Sequence, residues 1–340
     1  MKYSLLALFI FLTSPLFGQG LTPSQLPAYL KGVPHMPYHS VPNVLKFPKD
    51  VYLGEGAGVA LNKQGDIFVS SRTGPGGHML MEFDPNGNYV RSIGDSCYCF
   101  LFPHMVQVDS EGNVWTVDDG SNMVVKWHYD GTDWRPVLYL GRRSEPFGSG
   151  DTDDGFVLPR AASLKFSNLL FNMPTDVAFG LQGQIYVADG YMNDRVQEFD
   201  KYGKFIKGWG GKGTSPGQFN VPHGIIVDNK GLVYVADREN KRVQIFTPDG
   251  QYLRQWDNVG HPWSMCLTSG PNQTMYIADG TADLIYKVDM NGHILGWYGG
   301  QGKRLGEFDN AHEIACGPDG TLYVMETRNY RLQKLVLNSH

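Results

Sequence analysis

The 340-residue chain predicts an all-β protein, a six-bladed β-propeller. Three observations carry that reading. First, one unit recurs six times: an apolar strand, a turn holding Gly or Asp, and a strand that alternates β-branched and aromatic residues. The copies are VALNKQGDIFVSSR from Val59, VQVDSEGNVWTVDD from Val106, VAFGLQGQIYVADGY from Val177, IIVDNKGLVYVADR from Ile225, MCLTSGPNQTMYIADG from Met265 and IACGPDGTLYVMETR from Ile314. Second, they follow one another at roughly 45 residues, the period of four-stranded blades. Third, apolar residues alternate with period two and no helical pattern competes, which fits blades better than an open solenoid.

Each element of a blade can be read in turn. After the second strand comes a third, such as RVQEFD, RVQIFTPDG or LIYKVDMNG, and then a fourth, such as KFIKGWG, YLRQWD or ILGWYG. The last copy stops at RLQKLVL, one strand short. The segment NVLKFPKDVYLG, ahead of the first copy, is expected to supply the outermost strand of the last blade and so remove an exposed edge. The propeller is thus expected over 43–340, with the Pro-rich residues 19–42 wrapping its surface. An insert at 142–170 interrupts the second and third blades. Its DTDDG loosely resembles a calcium loop but lacks the rest of that spacing, and reads as a solvated acidic loop.

The composition is that of a large globular domain: 41% hydrophobic, 19% charged, with 42 glycines suited to many tight turns. A net charge of −5 without a basic run argues against a nucleic-acid partner, and none is expected. Residues 1–18 read as a signal peptide, with Lys2 ahead of an apolar run from Leu5 to Leu12 and Gly18 near the cut. That run is too short to span a bilayer comfortably. The expected product is a soluble, monomeric, secreted or periplasmic protein with no membrane association after cleavage. Of four cysteines, Cys266 and Cys316 fall within strands and are expected to be small core residues. Cys97 and Cys99 share one loop, and their pairing is left open.

In a propeller the first strand of each blade lines the channel and the second runs back, so the start of one and the end of the other share a mouth. The leading positions of the six blades are Ala57, His104, Thr175, His223, Trp263 and His312. The trailing positions hold Arg72, Asp118 with Asp119, Asp189 with Tyr191, Asp237 with Arg238, Asp279, and Glu326 with Arg328. A lone histidine before a strand is ordinarily a turn or packing residue. Three in one register on alternate blades (FPH, VPH and NAH) point to three imidazoles on one axis, the ligand set of a catalytic zinc with an open fourth position. His35, His39, His78, His128, His261, His293 and His340 lack that register. The ADG and ADR aspartates read as turn caps.

At this point the chain resembles the peptidyl-α-hydroxyglycine α-amidating lyases, six-bladed propellers built from NHL-type repeats. The match is carried by PTDVA at Pro174, ADGYMNDR at Ala188, QFNVPHGI at Gln218 and ADRENKRVQIF at Ala236, and runs from Ala57 to the end of the chain. The resemblance implies zinc on His104, His223 and His312, a catalytic Tyr191 and Arg72, and a substrate-contacting Arg238. It also implies a structural calcium held by the carbonyls of Val59 and Val106 and by the carboxylate after the last histidine, here Glu313 where the family has Asp. Two family disulfides are missing, their positions being Asn172 with Met192 and Tyr234 with Ile245. No copper monooxygenase region precedes the propeller, so a hydroxyglycine substrate is expected to be made elsewhere.

The implied reaction is cleavage of R-CO-NH-CH(OH)-COOH, a peptide or small molecule, to an amide and glyoxylate. Zinc would act as Lewis acid on the hydroxyl, and Tyr191, acidified by Arg72 and the metal, as general base. Arg238 or Arg72 would pair the substrate carboxylate. Two alternatives stay open: a zinc hydroxide that hydrolyses a lactone or small ester, and a non-enzymatic binding propeller.

Overall fold

The computed structural model describes residues 26–74, 77–143 and 170–338. The expected signal peptide and all but the ends of the 142–170 insert lie outside them. The described residues form six four-stranded antiparallel sheets. Their first strands are Glu55–Leu61, Pro103–Val108, Asp176–Phe179, Pro222–Val227, Ser264–Leu267 and Ala311–Cys316. Each of these contacts the first strand of the next blade, so together they ring the axis. Apart from the terminal Arg72 of the first blade, the second strands are buried along their length, with Ile185–Asp189 and Val233–Asp237 as examples. The expected period-two alternation is therefore blurred in these strands, which are buried on both faces and carry near-continuous apolar runs.

The core lies between blades rather than in one central mass. Trp127 and Phe68 fill the gap between the first and second blades, and Tyr186 and Phe246 that between the third and fourth. Each such fully buried side chain contributes about 1.5–3 kcal/mol.

Ring closure differs from the expectation. The outermost strand of the sixth blade is Tyr38–Val41, paired antiparallel with the last strand from Tyr38 opposite Leu337 to Val41 opposite Lys334. It comes from the segment expected to wrap the surface. The expected closing segment instead lays Val44, Leu45, Phe47, Val51 and Leu53 over the seam between the sixth and first blades. The reason is anchoring. Tyr38 is 6% exposed, its hydroxyl donates to the Gly320 carbonyl at 3.0 Å, and Met36 packs into the core of the same blade. Upstream, Leu30 is fully buried against Tyr234, Trp256 and Tyr286.

The strand cysteines are also not free. Cys266 and Cys316 form a disulfide between the first strands of the fifth and sixth blades, whose Cα atoms lie 5.6 Å apart there. Neighbouring channel strands bring them face to face, which repeat position alone does not reveal. Cys97 and Cys99 are paired within their loop.

Candidate metal centre

The three histidines are aimed by bulges. The ladder between first and second strands shifts register across His104 (between Pro103 and Met105), across His223 (between Pro222 and Gly224) and across His312 (between Ala311 and Glu313). A bulge leaves one residue unpaired and re-aims its side chain, here towards the axis. The first blade carries the same shift at Ala57.

The approach to two of the bulges is held by neighbouring blades. Asp194 accepts the N–H of Val221, and Asp283 that of Asn310, two residues ahead of His223 and His312. Val221 sits at φ 58°, a left-handed conformation rare for a β-branched residue. The trailing carboxylates work alongside. Asp118 accepts N–H groups of Leu101, Phe102 and Ser121, and Asp237 accepts the N–H of Asn220 and a donor from Arg242. Their reading as structural caps holds.

The imidazoles themselves form a buried triangle. His104 and His223 are fully buried and His312 is 2% exposed, with ring centroids 4.7, 4.7 and 5.2 Å apart. Ligand-capable atoms of the three all lie within 4.8 Å of one another. Each Nδ1 meets a backbone carbonyl at 2.7 Å: Thr175 for His104, Trp263 for His223 and Ala57 for His312. Those carbonyls belong to the leading positions of the alternate, histidine-free blades. A carbonyl can only accept, so Nδ1 carries the proton and Nε2 presents its lone pair. Burial holds all three well below the usual imidazole range, His312 at about 3, so the neutral, ligating form prevails. Three neutral nitrogens converging beside a cavity fit zinc with an open position.

Tyr191 completes the mouth. Its hydroxyl lies 3.1 Å from His104 Nε2 and 3.0 Å from His223 Nε2. Arg72 acts on this phenol in the expected, acidifying direction and Arg238 does so more strongly, but burial outweighs both and holds the hydroxyl above its ordinary value. Arg238 sits between Trp263 and Tyr191, its guanidinium 4.4 and 5.4 Å from their ring centres, and pairs with Glu239 at 2.8 Å. Arg72 is braced by the Pro103 carbonyl at 2.9 Å, by Glu55 and by the Phe102 ring at 4.0 Å. A cavity of about 490 Å³ opens here, lined among others by Arg72, Phe102, Tyr191, Trp263 and His312.

Asp119 also lines it and was given no role from sequence. The signal was available: the second blade reads VDDG where others read ADG or ADR, one acid more than the cap needs. The remaining described histidines stay outside the cluster. His293 pairs with Asp289, His78 with Asp95, and His35 packs on Trp297.

Glu313, Val59 and Val106 do come together beneath the triangle, but through other atoms than expected. Glu313 is fully buried and accepts the Val59 N–H at 2.6 Å, with the Val106 N–H at 3.4 Å and the Gln107 amide at 3.2 Å. Gln107 also donates to Asp176, whose second oxygen accepts the Ile225 N–H. Calcium needs oxygen donors, whereas this layer presents N–H groups to its carboxylates. The arrangement does not fit calcium.

Known proteins agree with this architecture. The NHL repeat family model matches residues 219–246. The peptidyl-α-hydroxyglycine α-amidating lyase 1 of Drosophila melanogaster is 32% identical over 71% of this chain and 45% of its own length. The peptidyl-glycine α-amidating monooxygenase A of Xenopus laevis is 31% identical over 72% of this chain. The chain spans about a quarter of that relative, at 25%. Among solved structures, a streptogramin B lyase superposes with a TM-score of 0.54 at 15% identity, covering 88% of this chain and 98% of its own, a likeness of fold alone. Motifs, repeat type and relatives converge: the chain belongs to the peptidyl-α-hydroxyglycine α-amidating lyase family.

Proposed function

We propose that this protein is a zinc-dependent lyase that cleaves the C–N bond of an N-acyl- or peptidyl-α-hydroxyglycine, releasing an amide and glyoxylate, and that it acts outside the cytoplasm after loss of residues 1–18. The observation that carries the reading is the tyrosine hydroxyl at hydrogen-bond distance from two of three inward-facing Nε2 atoms. His104, His223 and His312 would hold the metal. Zinc, when bound there, supplies a Lewis acid for the substrate hydroxyl. Calcium is not part of the reading.

The chain's own groups divide the remaining work. Tyr191 takes the hydroxyl proton, placed for it by its position against His104 and His223. Arg238, stacked on Trp263, presents a guanidinium for a bidentate contact with the substrate carboxylate. Arg72, fixed by Glu55 and Pro103, adds positive potential at Tyr191 and favours the phenolate. Phe102 and Trp263 form an aromatic wall of the cavity beside these groups.

The test is glyoxylate release from an N-acyl-α-hydroxyglycine by zinc-replete protein, against the spontaneous rate. Release that is lost in Tyr191→Phe with zinc content unchanged supports the reading. No release, with hydrolysis of a lactone panel instead, overturns it in favour of a zinc hydrolase.

A further inference from the structure

The cavity holds one acid that the mechanism above leaves idle. Asp119 is 4% exposed, lines the cavity with Tyr191 and His312, and its Oδ1 has no hydrogen-bond partner. It is not needed as a cap, because Asp118 already takes the N–H groups of Leu101, Phe102 and Ser121. Nor is it needed to neutralise Arg72, which is paired with Glu55. A buried carboxyl oxygen without a partner is costly, and a native fold keeps one where something else will meet it.

The reaction supplies that something. Removing the hydroxyl proton drives the oxygen lone pair into a new C=O bond, and the C–N bonding pair leaves with the nitrogen. An amide anion is a poor leaving group, so the nitrogen must receive a proton as the bond breaks. Around the cavity Tyr191 is committed to the hydroxyl, His312 presents a lone pair rather than a proton, and Glu55 is held by Arg72. We propose that Asp119 is the proton donor to the departing amide nitrogen, a second catalytic residue facing Tyr191 across the substrate. The step balances: R-CO-NH-CH(OH)-COO⁻ becomes R-CO-NH₂ and OHC-COO⁻, Tyr191 gains a proton and Asp119 gives one up. Return of that proton resets both groups with no further reactant. Burial, opposed by Arg72, pushes the Asp119 carboxyl up to about 7, which keeps a proton-bearing fraction at neutral pH.

The inference rests on the proposed lyase activity, and its test separates the two. Asp119→Asn is compared with wild type on an N-acetyl- and an N-trifluoroacetyl-α-hydroxyglycine, whose leaving nitrogens differ in their need for a proton. Turnover should fall about 100-fold on the N-acetyl substrate. The deficit should nearly close on the trifluoroacetyl one. Zinc content, melting temperature and calorimetric affinity for the unreactive N-acetylglycine should be unchanged. An equal deficit on both substrates, no deficit, or weakened N-acetylglycine binding overturns the role while leaving the lyase reading intact. Wild-type silence on both substrates overturns the lyase reading and this role with it. If Asp119→Asn does not fold, Asp119→Ser carries the same comparison.

Discussion

Two layers of the same axis, one residue apart in sequence, are built on opposite principles. In the upper layer His104, His223 and His312 turn their donors outward to carbonyls and aim bare lone pairs at a shared point. In the lower layer Glu313 and Asp176 are met by N–H groups of Val59, Val106, Gln107 and Ile225. The upper layer is unsatisfied by design and open to a cavity; the lower is satisfied and closed. A buried polar cluster becomes a ligand site when its second shell leaves lone pairs free, not merely when acids or imidazoles gather.

The largest expected break is in the upper layer. His104→Ala should abolish stoichiometric zinc and lower glyoxylate release beyond the roughly 100-fold typical of losing an outer partner alone. Metal analysis beside activity checks it, and full zinc occupancy in the variant would refute the ligand assignment. Chelators then sharpen the contrast between layers. Dipicolinate should remove zinc and lower the melting temperature, whereas a calcium-selective chelator should leave melting unmoved. A drop with the second reagent would mean that the lower layer does hold a cation.

A smaller effect comes from the packing of the lower layer. A Cβ on Gly58 would lie 2.8 Å from the Val106 backbone nitrogen and press on the Glu313 carboxylate. Gly58→Ala should destabilise by about 1–3 kcal/mol in denaturant unfolding. An unchanged midpoint would show that Glu313 is not held where described.

The smallest effect is the response to pH. Burial pushes Asp119, Asp176 and Asp283 up to about 7. Raised carboxyls contribute stability that is full below the unfolded value near 4 and lost as pH rises through the folded value. From pH 7 to 8 the unfolded imidazoles, with an ordinary value near 6.5, are already mostly neutral and oppose the acids only weakly, so the acids dominate the slope. The melting temperature should decline gently over that window, and a flat profile would mean that they are ionised and paired.

Much of this was legible in the chain. The six repeats and the register of FPH, VPH and NAH locate the blades and the histidine triangle, because period and position survive projection onto one dimension. Partners across blades do not. Cys266 and Cys316 meet only because neighbouring channel strands face each other, 50 residues apart. Tyr38–Val41 closes the ring although four short residues beside prolines carry little strand signal. The carbonyls of Ala57, Thr175 and Trp263 that orient the histidines belong to the backbone and leave no trace in residue type. Tyr191 was found, yet the balance of burial against Arg238 and Arg72 that sets its acidity needed distances.

The seam of the ring passes through the triangle. His312, on the blade completed by Tyr38–Val41, takes its orientation from Ala57 on the first blade, 255 residues away. The two ends of the propeller therefore act as a clasp, and the third imidazole is held in place only while the clasp is shut. Ring closure and the orientation of the third imidazole are thus coupled: in a half-closed ring His312 lacks the carbonyl that aims it.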